Sequence, residues 1–186
     1  MPSCAARVAL ALSALAVAVI MPVSARAQAQ SVPPIKPGLW EIKSEREVDG
    51  KKAPDPTEQV KNLPPDVRAK VEAMMKEKGV GMGEGGMNRV CLSRESLDEG
   101  SWQGQNENCK TEFTGRSTTS WKWHSVCTRP ESESDGEALF ANSENYTVKT
   151  HMKMKVQGQE RMTTMIIQAK WMGNNCGDIK PVQPKG

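Results

Sequence analysis

YTVKTHMKMKVQGQERMTTMIIQAKWM, residues 146–172, decides the fold. Tyr146, Val148, Thr150, Met152, Met154 and Val156 fall on one side of a two-residue repeat, while Thr147, Lys149, His151, Lys153 and Lys155 fall on the other. Apolar and cationic residues in strict alternation read as a strand with one face on a core. Gln157-Gly158-Gln159-Glu160 supplies a turn, and Arg161–Met172 returns with Met165, Ile167, Ala169 and Trp171 on one parity. The pattern is an antiparallel hairpin.

Other segments repeat the theme. Thr118 to Cys127 sets Trp121, Trp123, Ser125 and Cys127 against Lys122, His124 and Val126; Lys110 to Gly115 and Met87 to Leu92 are shorter strands. Leu39 to Val48 sets Trp40, Ile42 and Val48 against Glu41, Lys43, Glu45 and Glu47, and stops at the turn pair Asp49-Gly50. The expectation is a mainly β domain, an antiparallel meander whose sheet is curled or closes like a small barrel. Residues 51–64 read as loop. Residues 65–78 read as one inserted amphipathic helix, with Val67, Val71, Met74 and Lys78 on one side, prolines at its start and Gly79 at its left-handed C′ position. That helix is expected over a face or open end of the sheet, followed by GVGMGEGGM (79–87) as a flexible hinge or lid.

The N-terminus locates the chain. Arg7, an apolar run from Val8 to Val23 and the small-residue stretch Ser24 to Ala29 read as a secretory signal peptide, with cleavage expected after Ala27 or, one frame on, after Ala29. Cleavage leaves 159 of the 186 residues, one domain's worth, and lowers the formal charge from +3 to about +1 by removing Arg7 and Arg26. Residues 28–37 are expected to be a flexible lead-in, 38–177 the domain and 178–186 a flexible tail. No membrane span is expected in the mature chain, because the h-region, itself short of the ~20 residues of a spanning helix, is removed and no other stretch approaches its length. A nucleic-acid partner is not expected without a basic stripe.

Cys91, Cys109, Cys127 and Cys176 remain after cleavage, in an oxidising compartment, so two disulfides are expected. Four cysteines allow three connectivities. The expected one is Cys91–Cys109, over the polar stretch Ser93 to Asn108, with Cys127–Cys176 tying the Trp-rich strand to the final hairpin.

Several short motifs together resemble a family of bacterial periplasmic proteins, domain of unknown function 3617. They are P-G-L-W-E-I (Pro37 to Ile42), V-C-L-S (Val90 to Ser93), a middle cysteine, W-x-W-x-x-x-C (Trp121 to Cys127) and W-M-G-x-x-C (Trp171 to Cys176). The resemblance covers roughly residues 35–177. It implies an exported, mostly β, disulfide-bonded single domain, and it carries no activity, cofactor or catalytic residue.

Catalytic constellations are missing from the sequence. His124 and His151 are the only histidines, both on polar parities; there is no G-x-S-x-G, no G-x-x-x-x-G-K-[ST] and no H-E-x-x-H. No catalytic residue, cofactor or metal ligand is assigned. The acidic run Glu131 to Glu137 partly imitates a calcium loop, but position 12 is Asn142 where a bidentate glutamate is needed, so it reads as a solvated loop. Asn145-Tyr146-Thr147 is a formal glycosylation sequon and reads as an accident of composition. Nine methionines survive cleavage beside only two Phe and one Tyr. They serve as adaptable core filler or as a pliant lining for an apolar ligand. The expected function is a non-catalytic binding or cell-envelope accessory module, its partner a small apolar ligand or an envelope protein. Trp40, Trp121, Trp123, Met152, Met154 and Trp171 are the candidate lining. A copper-handling alternative would use Met152, Met154 and His151 as soft and imidazole ligands, although strand geometry points His151 away from the two thioethers. An unrecognised enzyme is the third reading.

Overall fold

The computed structural model describes residues 32–98 and 108–182. The expected signal peptide and Cys4 lie outside the described residues. In chain order the elements are β1 (Gly38–Val48), β2 (Lys51–Lys52), α1 (Pro56–Lys61), α2 (Pro65–Glu77), β3 (Val80–Met82), β4 (Asn88–Leu92) and α3 (Arg94–Asp98). Then come β5 (Cys109–Arg116), β6 (Ser120–Thr128), β7 (Glu131–Asn142), β8 (Asn145–Val156) and β9 (Gln159–Gly173). All the strands join one antiparallel sheet in the order β3-β4-β1-β9-β8-β7-β6-β5, with β2 on a free stretch of β1, and the sheet does not close into a barrel.

The deciding hairpin forms as its alternation requires. β8 and β9 pair from Asn145↔Lys170 to Val156↔Gln159. Gln157 and Gly158 both have positive φ, 52° and 79°, the two-residue turn whose twist matches that of the flanking strands. β9 then pairs along nearly its whole length with β1, placing Trp40 opposite Trp171 and Ile42 opposite Ala169. The first and last long strands are thus neighbours at the middle of the sheet.

Following the registers across the sheet puts Trp40, Ala169, Tyr146, Phe140, Ala138 and Trp121 on one face, the inner one. Their rings run as a chain: Trp40 to Tyr146 at 5.0 Å, Tyr146 to Phe140 at 6.2 Å, Phe140 to Trp121 at 6.0 Å and Trp121 to Phe113 at 5.5 Å between centroids. Trp40 and Trp121 are fully buried, and Ile35, Leu92 and Leu97 complete the cluster. Each buried indole N–H needs an acceptor. Trp40 Nε1 donates to Lys36 O at 3.0 Å, Trp121 Nε1 to Ser117 O at 3.1 Å and Trp171 Nε1 to Pro37 O at 3.0 Å.

The structure corrects several expectations. The disulfides are Cys91–Cys176 and Cys109–Cys127, not Cys91–Cys109 and Cys127–Cys176. β4 and β5 stand near opposite ends of the sheet, so Cys91 cannot reach Cys109, whereas Cys109 is the direct cross-strand partner of Cys127. Glu131 to Glu137 is not a solvated loop; it is the first half of β7. The lead-in is not free from Val32 onward, since Pro33 and Ile35 are buried and Lys36 binds Glu144 at 2.5 Å. Nor is the described part of the C-terminal segment a loose tail. Ile179 is buried, and Val182 N–H donates to Cys91 O at 2.9 Å.

α2 spans almost the expected residues, and Gly79 takes the left-handed conformation expected of its C′ position, at φ 84°. It covers no sheet face, however; it packs at the β3 end with no fully buried residue. Val67 and Met74 are exposed, and the half-buried side is Arg68, Val71, Glu72, Met75 and Lys76. The glycine stretch is not irregular throughout either. It holds β3 and a 3₁₀ turn, Glu84–Gly86, and Ile179 packs into the space beside Gly81. Within the expected loop 51–64 lies α1, capped by Asp55, whose carboxylate accepts from the Thr57 N–H at 2.8 Å, with Pro56 at the first turn.

Candidate functional site

Beyond the aromatic chain the long strands β7, β8 and β9 continue, and the character of the inner face changes. The register carries Thr150 opposite Met165, Met152 opposite Thr163 and Met154 opposite Arg161, with Ser134 and Ser132 alongside on β7. Met152, Met154 and Ile167 are half-buried and Met165 is 36% exposed, while Val148, one step toward the core, is 9% exposed. The inner face therefore has two parts: a packed aromatic end, and a methionine end whose side chains keep partial contact with solvent. Unbranched thioether side chains suit such a surface, since they adapt to whatever contacts them.

The outer face is a charge ladder. β7 presents Glu131, Glu133, Asp135 and Glu137 between cationic neighbours, with Glu133 opposite Lys153, Asp135 opposite His151 and His124, and Glu137 opposite Lys149 and Lys122. Lys122 meets Glu137 at 3.2 Å and Lys155 meets Glu131 at 2.9 Å. His124 Nδ1 lies 2.9 Å from Asp135 Oδ1, and that hydrogen bond raises the imidazole's pKa, with Glu133 and Glu112 adding to the attraction. His151 contacts Thr164 Oγ1 at 3.1 Å through Nδ1. The matched charges favour one register, and among the described residues no three His, Cys, Asp or Glu side chains converge as metal ligands.

Two cavities among the described residues bear on the site. One, of about 390 Å³, is a shallow depression whose rim includes Glu41, Lys43, Thr147, Gln168 and Lys170. The other, of about 210 Å³, lies where β1 is unpaired between β4 and β2, beside Lys52–Asp55 and Gly85-Gly86. None of the six expected lining residues borders either cavity. Trp40 and Trp121 are core; Trp171 is half-buried under the Lys36 ammonium, 4.6 Å from its ring; and Trp123 is half-buried over Gly136. Met152 and Met154 lie together on the inner face, and His151 lies on the outer one, so the strand does not bring the three together. Sequence reasoning did not single out Met165 and Ile167 as site residues, although their parity on β9 marks the face they share with Met152.

This geometry defines a class: a single-layer, open antiparallel β domain stapled by two disulfides, with an incompletely covered inner face. The chain belongs to the family described as protein of unknown function DUF3617, whose model matches residues 35–176. It is also similar to a Pseudomonas putida protein described as "Uncharacterized protein in lpd-3 5'region", at 34% identity over 121 residues, covering 62% of this chain and 83% of that one. No solved structure matches the chain.

Proposed function

We propose that this chain is an exported, non-catalytic binding module of the cell envelope. It takes up a small apolar ligand, or an apolar segment of a partner protein, on the methionine end of its inner face. The observation that carries the reading is the half-exposed patch of Met152, Met154, Met165 and Ile167, contiguous across β8 and β9, adjoining a packed aromatic core. Apolar surface of this kind, left open beside a rigid scaffold, is where a ligand gains most from leaving water. Export is supported by the signal-peptide pattern at residues 1–27 and by two disulfides, which persist outside the reducing cytosol. No helix among the described residues is long and apolar enough to cross a membrane.

The test is native mass spectrometry of the protein purified gently from a periplasmic extract. The expected spectrum shows processing near Ala27 and a reproducible adduct that organic extraction removes. Met152→Glu combined with Met165→Glu is expected to abolish the adduct while leaving the fold intact. A bare mass in every preparation would sink the small-ligand form, and a chain that keeps residues 1–27 would sink export.

A further inference from the structure

The two ends of the sheet are finished differently. At one end β3 is three residues long, and the chain's own C-terminal segment lies against that region: Ile179 beside Gly81, and Val182 bound to Cys91 O. Ion pairs from Lys76 to Asp178 and from Lys180 to Glu77 fasten this segment to α2. At the other end β5 pairs with β6 along one edge, and no described strand is hydrogen-bonded to its other edge. An open strand edge is a template for a further strand.

β5 is regular from Cys109 to Phe113, up to the bulge before Gly115. Over that stretch its outer-face side chains are Lys110 and Glu112, which are strongly exposed and 3.0 Å apart. We propose that a second copy of this chain docks here, β5 against β5, antiparallel about a two-fold axis at Thr111. That register sets Lys110 of each copy opposite Glu112 of the other and pairs Thr111 with its own equivalent. Opposite charges and Thr–Thr pairs are the combinations that favour cross-strand neighbours. Moving the axis to Lys110 sets lysine against lysine, and moving it to Glu112 sets carboxylate against carboxylate. Axes between residues set the charged face of one copy against the inner face of the other, because opposed residues share a face. The charge pattern of the edge is thus complementary to itself in one register, and the two sheets would continue into each other. Five paired residues make an interface below the standard size, so the dimer is weak and concentration-dependent.

The experiment is sedimentation equilibrium of the protein expressed from its full sequence, from about 1 to 500 μM. The expected result is a reversible monomer–dimer equilibrium. Lys110→Glu and Glu112→Lys, each creating two like-charge pairs, are expected to weaken it about tenfold or more. The exchange K110E/E112K restores the complementarity and is expected to return the constant to within about threefold of the original. A monomer at every concentration overturns the proposal. So does a dimer that either single variant leaves unchanged, or one that the exchange fails to restore.

Discussion

At the scale of single residues, what holds the sheet together depends on partners far away in sequence. Gly136 faces Trp123 across β6 and β7, and a Cβ there would stand 2.1 Å from the indole Cε2. The missing side chain is what lets the ring lie flat on the strand. Gly136→Ala is therefore expected to lower stability by about 1–3 kcal/mol through overpacking, read as a shifted urea midpoint, and Trp123→Ala in the same chain should recover part of that loss. The tryptophans themselves were legible, because Trp40, Trp121 and Trp123 sit on the apolar parity of their strands. Gly136 was not, because its role exists only once β6 and β7 are aligned. His124 supplies a second prediction at this scale. Its partner Asp135 raises its pKa in the folded state, so its titration midpoint should exceed the ordinary value of ~6.5 in an NMR pH series. A raised pKa means the interaction stabilises the fold fully below the unfolded value and is lost as pH rises through the folded one. Asp135→Asn should bring the midpoint down, with Glu133 and Glu112 still facing the ring, and should remove that part of the pH dependence. An unchanged midpoint would show that the contact does not persist in solution.

At the scale of elements, β7 shows how a strand can be hidden. Its inward residues Ser132, Ser134 and Gly136 are small and polar, so hydrophobic alternation gives no signal until Ala138 and Phe140. The alternation that was there is electrostatic: Glu131, Glu133, Asp135 and Glu137 match Lys155, Lys153, His151 and Lys149 in antiparallel order. Such exposed pairs add little stability individually; their effect is to penalise misalignment. The cysteines failed as guides for a related reason. Cys109 is as far in sequence from Cys91 as from Cys127, so spacing does not choose between them; the sheet does, since β5 lies beside β6 and the return of β9 to β1 places β4 and β5 far apart. The observed bonds predict unequal effects. Cys91–Cys176 closes a separation of 85 residues and Cys109–Cys127 one of 18. Chain entropy then gives about 4–5 kcal/mol for the first and about 3 kcal/mol for the second. The double variant Cys91→Ser/Cys176→Ser should lose more stability in urea than Cys109→Ser/Cys127→Ser, whose strands stay paired without the bond. The reverse order would mean that the C-terminal segment holds its place independently of the disulfide.

At the scale of the whole molecule the decisive fact is that β9 lies between β1 and β8. Remove it and the sheet divides into a piece with β1, β2, β3 and β4 and a piece with β5, β6, β7 and β8. The core is split with it: the rings from Tyr146 to Phe113 stay with β5–β8, while Trp40, which touches Tyr146 across β9, goes with the other piece. A chain ended at Val156 keeps every residue of eight strands and is expected to give collapsed NMR amide dispersion and no cooperative thermal transition. A synthetic peptide of residues 159–182 added to it should restore both, since it returns the shared strand together with Cys176 and Ile179. If the shortened chain unfolded cooperatively by itself, β9 would not be what unites the two pieces. The same topology sets the kinetics: long-range pairing of the first and last strands implies slow folding for a domain of this size.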